Sequence, residues 1–432
     1  MFSNPAVPAL LKIVATFAVM LFIIHRNWGL WLAILGGGVV LGLLFSMSPL
    51  EIGGTALATL PQPSFLILFF VVAFIMLLSE VQGTTGQGQR LVSGLTPYMK
   101  SRRLRLIFFP ALVGLLPMPG GAIFSCPMVR DVAEHLDISD RKKVLINYWF
   151  RHIWESAWPL YPGYILACAL ADIPPSLLWR YTFPFVLVSI TVGWVFLLRT
   201  PIESLPDHFD EGSEKRPLFA VLMEGLPIIV AIFGAFVFDG LFSLLGRPLP
   251  NGVSFVFSFF AAAMTSMVQN RLTPVDLAKL MFQAKVGRML AVILSIFIFK
   301  EIVIAAKVVD DLAALISGRS AMLALFVFLP IVMGGLTGVM MGFVGAAFPL
   351  LMGLLTQAGL YDERLCWVMV SLAAGHFGQM VTPLHSCYLV TVEFFKVPLS
   401  RTMRTTALAC LVQLAVCLAY VAALYYLFNP QL

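Results

Sequence analysis

Charge is scarce in this chain. Only 12% of its 432 residues are Asp, Glu, Lys or Arg, about half the share of a soluble globular protein, and mean hydropathy is +0.93. A chain so poor in charge does not read as a water-soluble fold. Cysteine is sparse too: Cys126, Cys168, Cys366, Cys387, Cys410 and Cys417 all lie in apolar stretches, without CxxC or His-rich spacing. That excludes a disulfide framework and predicts no metal site and no cofactor. No HExxH spacing or nucleophile motif is present, which argues against an intramembrane enzyme. Apolar residues do not alternate with polar ones, which excludes a β-barrel. The net charge of +6 is a matter of topology, developed below, and calls for no nucleic-acid partner.

Long apolar runs take the place of charge. Stretches of roughly 18 or more apolar residues, each enough for one bilayer crossing as a helix, recur from end to end. They fall near 8–24, 29–47, 64–82, 104–129, 144–171, 176–198, 217–244, 252–268, 287–306, 321–356, 365–395 and 405–428. The first carries a single Lys12 and no small-residue cleavage pattern, so it reads as a retained helix rather than a signal peptide. The fold class is an all-α polytopic membrane protein.

Two stretches do not suit a simple crossing. Residues 104–129 have Pro117, Pro119, Gly120 and Gly121 at their centre, and 321–356 is too long for one span and contains GGLTGVMMGFVGAAFP. Both suit re-entrant hairpins, because irregular backbone at membrane depth needs protein or a watery cavity to cover it. With about ten full spans and two hairpins, one face holds 20 of the 28 Lys and Arg residues; the other holds Lys12, Arg180, Arg247, Lys307, Arg319 and Arg364, and Arg151 and Lys300 lie inside spans. By the positive-inside rule the rich face is cytoplasmic. Both termini are then expected on the outer side of a prokaryotic plasma (inner) membrane, with the first hairpin opening inward and the second outward.

The two halves of the sequence resemble each other. At a constant offset of 224, residues 144–180 and 368–404 share eight identities: Val144, His152, Pro159, Leu160, Tyr164, Pro174, Ser176 and Arg180 match Val368, His376, Pro383, Leu384, Tyr388, Pro398, Ser400 and Arg404. Upstream, FFPALVG (108–114) answers FLPIVMG (328–334), and LVSG (91–94) answers LISG (315–318). Each half therefore reads as three spans, an interfacial stretch, a hairpin, a proline-broken span and a last span. An odd number of crossings per half turns the second repeat upside down, the plan of secondary transporters. The predicted units are 1–103 and 217–320 as scaffold spans, 104–198 and 321–432 as the transport part, and 199–216 as a cytoplasmic linker. Within 308–318, VVDDLAALISG places Val308, Val309, Leu312, Leu315 and Ile316 on one face, as a helix lying in the membrane surface would.

A hairpin followed by a proline-broken helix, twice and inverted, resembles the ion transporter superfamily, which contains divalent-anion/sodium symporters and citrate, gluconate and C4-dicarboxylate carriers. GLLPMPGGAIFSCP (114–127) is most similar to a poorly characterised branch of integral membrane proteins within it. The resemblance covers nearly the whole chain in architecture and is local in motif. It implies an elevator-like transport part, a scaffold and a homodimer contact. The Ser-Asn-Thr hairpin motif of the divalent-anion symporters is missing from both hairpins, so its sodium and carboxylate contacts do not carry over.

The residues that bear chemistry cluster where the helices break. At WPLYPG (158–163) and VTPLHS (381–386), Pro159, Pro162 and Pro383 free backbone groups and aim the following half-helix at the protein centre. Such an end favours an anion by roughly 0.3–2 kcal/mol. Pro119, Gly120 and Gly121 at one hairpin tip (117–122), and Gly342 and Gly345 at the other (338–347), admit a ligand close to the backbone. Arg151, His152 and Glu155 stand at i, i+1 and i+4, which puts Arg151 and Glu155 on one helical face if the helix continues. A charge at the bilayer centre costs roughly 2.5–3.5 kcal/mol. One reading makes them an internal ion pair; the other gives Arg151 to the anion and Glu155, with His152 and His376, to the coupling cation. Ser125, Ser156, Gln379, Thr382, His385 and Ser386, with His152 and His376 again, complete the expected substrate contacts. The reading is a secondary active transporter of a small organic anion, a carboxylate, coupled to Na⁺ or H⁺ by symport, with membrane lipid and a second copy of the chain as partners. A proton-driven exporter of the same fold is the rival, ahead of an intramembrane enzyme or a channel.

Overall fold

The computed structural model describes residues 6–99, 101–115, 121–134, 136–199, 216–247, 249–250, 252–313 and 318–428. Among them there are helices and no strand. The first half runs α1 (Ala6–His25), α2 (Leu30–Leu44), α3 (Pro49–Thr59), α4 (Pro63–Thr85), α5 (Gln87–Leu95), α6 (Arg102–Leu115), α7 (Ala122–Ala133), α8 (Asp140–Arg151), α9 (Pro162–Ala171) and α10 (Pro175–Gly193). A π-helical turn, Trp194–Leu198, continues α10. The second half runs α11 (Leu218–Glu224), α12 (Leu226–Leu244), α13 (Val253–Gln269), α14 (Pro274–Met281), α15 (Ala284–Ala305), α16 (Val308–Ala313), α17 (Arg319–Thr337), α18 (Met340–Gln357), α19 (Arg364–Met380), α20 (Ser386–Phe394) and α21 (Leu399–Phe428). Apart from the extra α11, the order of long, short, paired and broken helices is the same in both halves.

Helices occupy all twelve apolar stretches. By length and composition, seven helices among the described residues, α1, α4, α10, α12, α17, α18 and α21, can cross a membrane. The protein is a polytopic α-helical membrane protein. The surface helix expected over 308–318 is α16; Leu315 and Ile316 lie outside the described residues, as do Pro117, Pro119 and Gly120 and the linker 199–216 except for Arg199 and Arg216.

Two short helices escaped the hydropathy reading although their start signals are in the sequence. SPLE opens α3 and TPVD opens α14, each with Pro at the first turn and a complete capping box. Ser48 Oγ accepts from the Glu51 N–H at 3.2 Å while Glu51 Oε2 accepts from Ser48 N–H at 2.7 Å. Thr273 and Asp276 repeat this pattern at 3.3 and 2.9 Å. Two orphan donors are satisfied at each end. The bonds from Ser48 and Thr273 hold the Glu51 and Asp276 carboxyls below their ordinary range.

Packing follows the same duplicate plan. α2 packs on α15 and α4 on α13, so the opening helices of the two halves close on each other. The first arm of each hairpin lies on the first piece of its own broken helix, α6 on α8 and α17 on α19. The second arm crosses over: α7 packs on α20, and α18 on α9. Equivalent side chains make equivalent bonds. Tyr164 Oη meets Thr182 Oγ1 at 2.9 Å, and 224 residues on Tyr388 Oη meets Thr406 Oγ1 at 3.0 Å.

Glycine makes the crossings of hairpin and broken helix possible. A Cβ on Gly114 would overlap the carbonyl of Arg151, and one on Gly334 would overlap that of Gly375; these two partners are again 224 residues apart. Gly338 turns α17 into α18 at φ +66°, a left-handed conformation that glycine adopts without steric cost.

Candidate functional site

The helix that carries the ionisable cluster stops inside it. α8 ends at Arg151 with His152 as its C-cap. From there 152–161 folds as tight i→i+3 turns, with His152 N–H donating to Trp149 O at 3.0 Å, Ala157 to Trp154 at 3.0 Å and Tyr161 to Trp158 at 3.0 Å. Pro159 lies buried in this segment, and Pro162 opens α9 behind the N-cap Tyr161. The expectation that Arg151 and Glu155 share a helical face is therefore corrected: Glu155 lies beyond the helix end. The second break, 381–385, is shorter, holds Pro383 at its surface, and ends at His385, the N-cap of α20.

Both N-caps tie the break to a hairpin. Tyr161 Oη donates to Gly114 O, and His385 Nδ1 donates to Gly338 O at 2.6 Å, each across 47 residues. Thr382 Oγ1 adds a bond to Gly335 O at 2.5 Å. The end of α6 and the turn at Gly338 thus meet the middle of the broken helices, not their ends.

Between the breaks the two halves touch through their own equivalents. Gln379 Nε2 donates to Glu155 Oε2, and Gln413 Nε2 to Ser189 Oγ at 2.8 Å; both pairs are separated by 224 residues. Glu155 Oε1 stands 3.9 Å from His152 Nε2, and Oε2 4.0 Å from His376 Nδ1. Arg151, buried, donates from Nη1 to Cys387 Sγ at 2.9 Å and lies 3.2 Å from His152 Nε2. His152 Nδ1 donates to Tyr148 O at 2.5 Å, and its Nε2 is 2.9 Å from His385 Nε2.

A cavity of about 480 Å³ opens on this cluster. Of the expected site residues it exposes Arg151, Glu155, Pro162, Gln379, His385 and Ser386. Sequence reasoning did not place Tyr161, Cys387, Lys285 and Arg288 there, nor the wall of Trp31, Met76, Met289, Met340 and Met341. Tyr161 was legible as the residue before a first-turn proline. Lys285 and Arg288, at the start of α15, read only as loop charge; Lys285 pairs with Glu80. The first residues of α9, α18 and α20 all line the cavity, so three helix N-termini with their positive dipole ends face it.

The other expected residues take different places. Gly121 lies under the Arg151 guanidinium, where a Cβ would come within 2.6 Å of Nη2. Gly342 and Gly345 are inside α18, not at a tip, and pack against Thr337 and Ile296. Ser125 and Ser156 are buried with no hydrogen-bond partner for their hydroxyls. His152 and His376 sit behind the cavity wall. His152 Nε2, His385 Nε2 and Cys387 Sγ lie within 4.8 Å of one another, but Arg151 Nη1 points at both the thiol and the imidazole. The guanidinium occupies the place a cation would need, so these groups do not fit a metal ion.

Fold and site together define a multi-pass membrane protein with paired helix breaks around a largely apolar cavity that holds Arg151, Glu155, Lys285 and Arg288. The chain belongs to the family described as "Protein of unknown function (DUF401)", which it matches over residues 7–426. No curated protein matches it. Among solved structures it is similar to the YdaH transporter of Alcanivorax borkumensis, with 11% identity, TM-score 0.64 and 88% of each chain covered. It is also similar to MtrF of Neisseria gonorrhoeae, described within a class of antimetabolite efflux pumps, with 11% identity, TM-score 0.58 and coverage of 88% of this chain and 83% of that one. These likenesses are of fold.

Proposed function

We propose that this protein is a secondary active transporter that moves a small organic anion by alternating access, coupled to Na⁺ or H⁺. The observation that carries the proposal is the meeting of equivalent residues at the breaks. Residues related by a twofold axis touch their own equivalents only on that axis, and Glu155–Gln379 and Ser189–Gln413 do so. The positive-charge count favours an axis in the membrane plane, hence inverted repeats, and binding sites of such folds lie at the repeat interface. The fold shared with proteins described as a transporter and an efflux pump supports the reading, and no enzyme is implied.

In this proposal 104–198 and 321–432 move as an elevator-like unit against the scaffold 1–103 and 217–320, joined by 199–216 and paired with a second copy in an inner membrane. The cavity includes Gly29, Lys285 and Arg288, from the positively charged face, which supports a conformation open to the cytoplasm. Arg151, Arg288 and three helix N-termini attract the anion, and the Met and Trp31 wall holds its apolar part. Export is the second reading, favoured by the likeness to MtrF. Uptake and release of mono- and dicarboxylates by proteoliposomes under imposed Na⁺ or proton gradients tests the proposal. Gradient-driven flux of any of them supports it; no flux in either direction by protein shown to be folded and inserted overturns it.

A further inference from the structure

We infer that the coupling cation is a proton held between His152 and His385, one histidine from each helix break. This rests on the transport reading and specifies its ion. The argument is a count of donors. Carbonyl oxygens only accept, so His152 Nδ1, on Tyr148 O at 2.5 Å, and His385 Nδ1, on Gly338 O at 2.6 Å, both carry hydrogen. Two neutral rings in those tautomers would face each other with bare Nε2 lone pairs, yet the Nε2 atoms are 2.9 Å apart. A hydrogen must lie between them, which gives the pair three N–H protons and one positive charge. Arg151 Nη1, a donor only, stands 3.2 Å from His152 Nε2. His152 Nε2 is therefore the acceptor, and the third proton sits on His385.

The surroundings fit that charge. Glu155 approaches His152 Nε2 at 3.9 Å and accepts the Gln379 amide, as a carboxylate does. The remaining ionisable neighbours are Tyr148, Tyr161, Cys387, His376 and Arg151; across the cavity α15 presents Arg288 and the Lys285 already paired with Glu80. Arg151, Arg288 and the histidine pair against Glu155 leave two positive charges, one more than without the proton, for an organic anion to meet. Loading the proton thus raises affinity for the anion, and the reverse holds by linkage.

Release breaks the His385 Nε2–H bond, passes the proton to water, and leaves two neutral rings. Their facing lone pairs then repel, so the contact opens and the turn at Gly338, bonded to His385, moves off the first break. Proton occupancy and the packing of hairpin on break are the same event.

Solid-state NMR of protein labelled with ¹⁵N-histidine in lipid bilayers, without substrate, reads this directly. The expected result, at a pH between about 5 and about 8, is one doubly protonated ring whose Nε2 correlates with the unprotonated Nε2 of a second ring. The correlation should vanish in His152→Gln and in His385→Gln, and persist in His25→Gln. Glu155→Gln, lacking the counter-charge, should hold the proton about tenfold more weakly. Absence of the correlation at every pH from about 5 to about 8, or its survival in both break variants, overturns the inference. Because no transport is measured, such a failure leaves anion flux standing, whereas a failure of flux leaves the proton signal to be read on its own.

Discussion

Replacing Gly338 by alanine should detach the second hairpin from the second break. The residue has φ +66°, where an L-residue costs about 1–2 kcal/mol. A Cβ would stand 3.0 Å from both the carbon and oxygen of the Leu384 carbonyl and 3.1 Å from His385 N. All three are backbone atoms, so the turn itself must retreat. Retreat stretches the 2.6 Å bond from His385 to Gly338 O, a loss of about 1 kcal/mol. The sum is about 2–3 kcal/mol of destabilisation by these two effects. Gly335, three residues earlier within α17, is the internal control. Its Cβ would lie 3.8 Å from Gly378 O in ordinary contact, and alanine in a helix interior gains up to about 1 kcal/mol. Equilibrium unfolding in mixed micelles should separate the two variants by a factor of about 100 in the unfolding constant. Equal stability of the two would refute the claim that the hairpin turn is clamped to the break.

Two further outcomes are expected. Cysteines placed at the exposed Asp137 and Asp362, in a background without native cysteine, should react with impermeant reagents from opposite sides of the membrane; reaction of both from one side would sink the inverted topology. The caps of α3 and α14 should loosen in acid: the Glu51 and Asp276 carboxyls are held below their ordinary range, so their stabilisation is complete above that range and is lost as pH falls through the lowered values. Hydrogen exchange in 49–59 and 274–281 should then quicken on acidification, and Asp276→Asn should abolish the change in 274–281.

The long helices, the hairpin positions and the breaks were legible because each is written locally. Apolar runs mark spans, Pro162 marks a first turn, and SPLE and TPVD mark capped starts. The 224-residue offset was legible because histidine, proline, tyrosine and arginine recur in register. What the sequence hid is set by where helices stop and by what faces across them. Arg151, His152 and Glu155 look like neighbours on a helix only if the helix continues past Arg151. Its end there turns Glu155 towards Gln379 and brings His152 to His385, partners 224 and 233 residues away. Gly342 and Gly345 looked like a hairpin tip because small residues suit a turn and close packing alike; the positive φ of Gly338 shows where the turn lies.

Where residues 224 positions apart meet, the chain pairs unlike side chains, as the proposed repeat symmetry requires. A residue on the twofold axis faces its equivalent, so a glutamate repeated there would face a glutamate at hydrogen-bond distance. Two carboxylates so close cannot both be ionised; one must take a proton. Glutamine opposite Glu155 keeps the shape, donates an N–H to the carboxylate and removes the second charge. Serine opposite Gln413 resolves the second axial contact by the same means, a donor against an acceptor. Gln379→Glu tests the argument. At neutral pH the variant should lose on the order of 3 kcal/mol, the scale for a buried charge without a partner. The loss should shrink as the pH is lowered and the pair takes up its shared proton, whereas Glu155→Gln, with an amide on each side, should show no such recovery. Wild-type stability of Gln379→Glu at neutral pH would mean that the two side chains do not meet on an axis, and the repeat would have to be closed elsewhere.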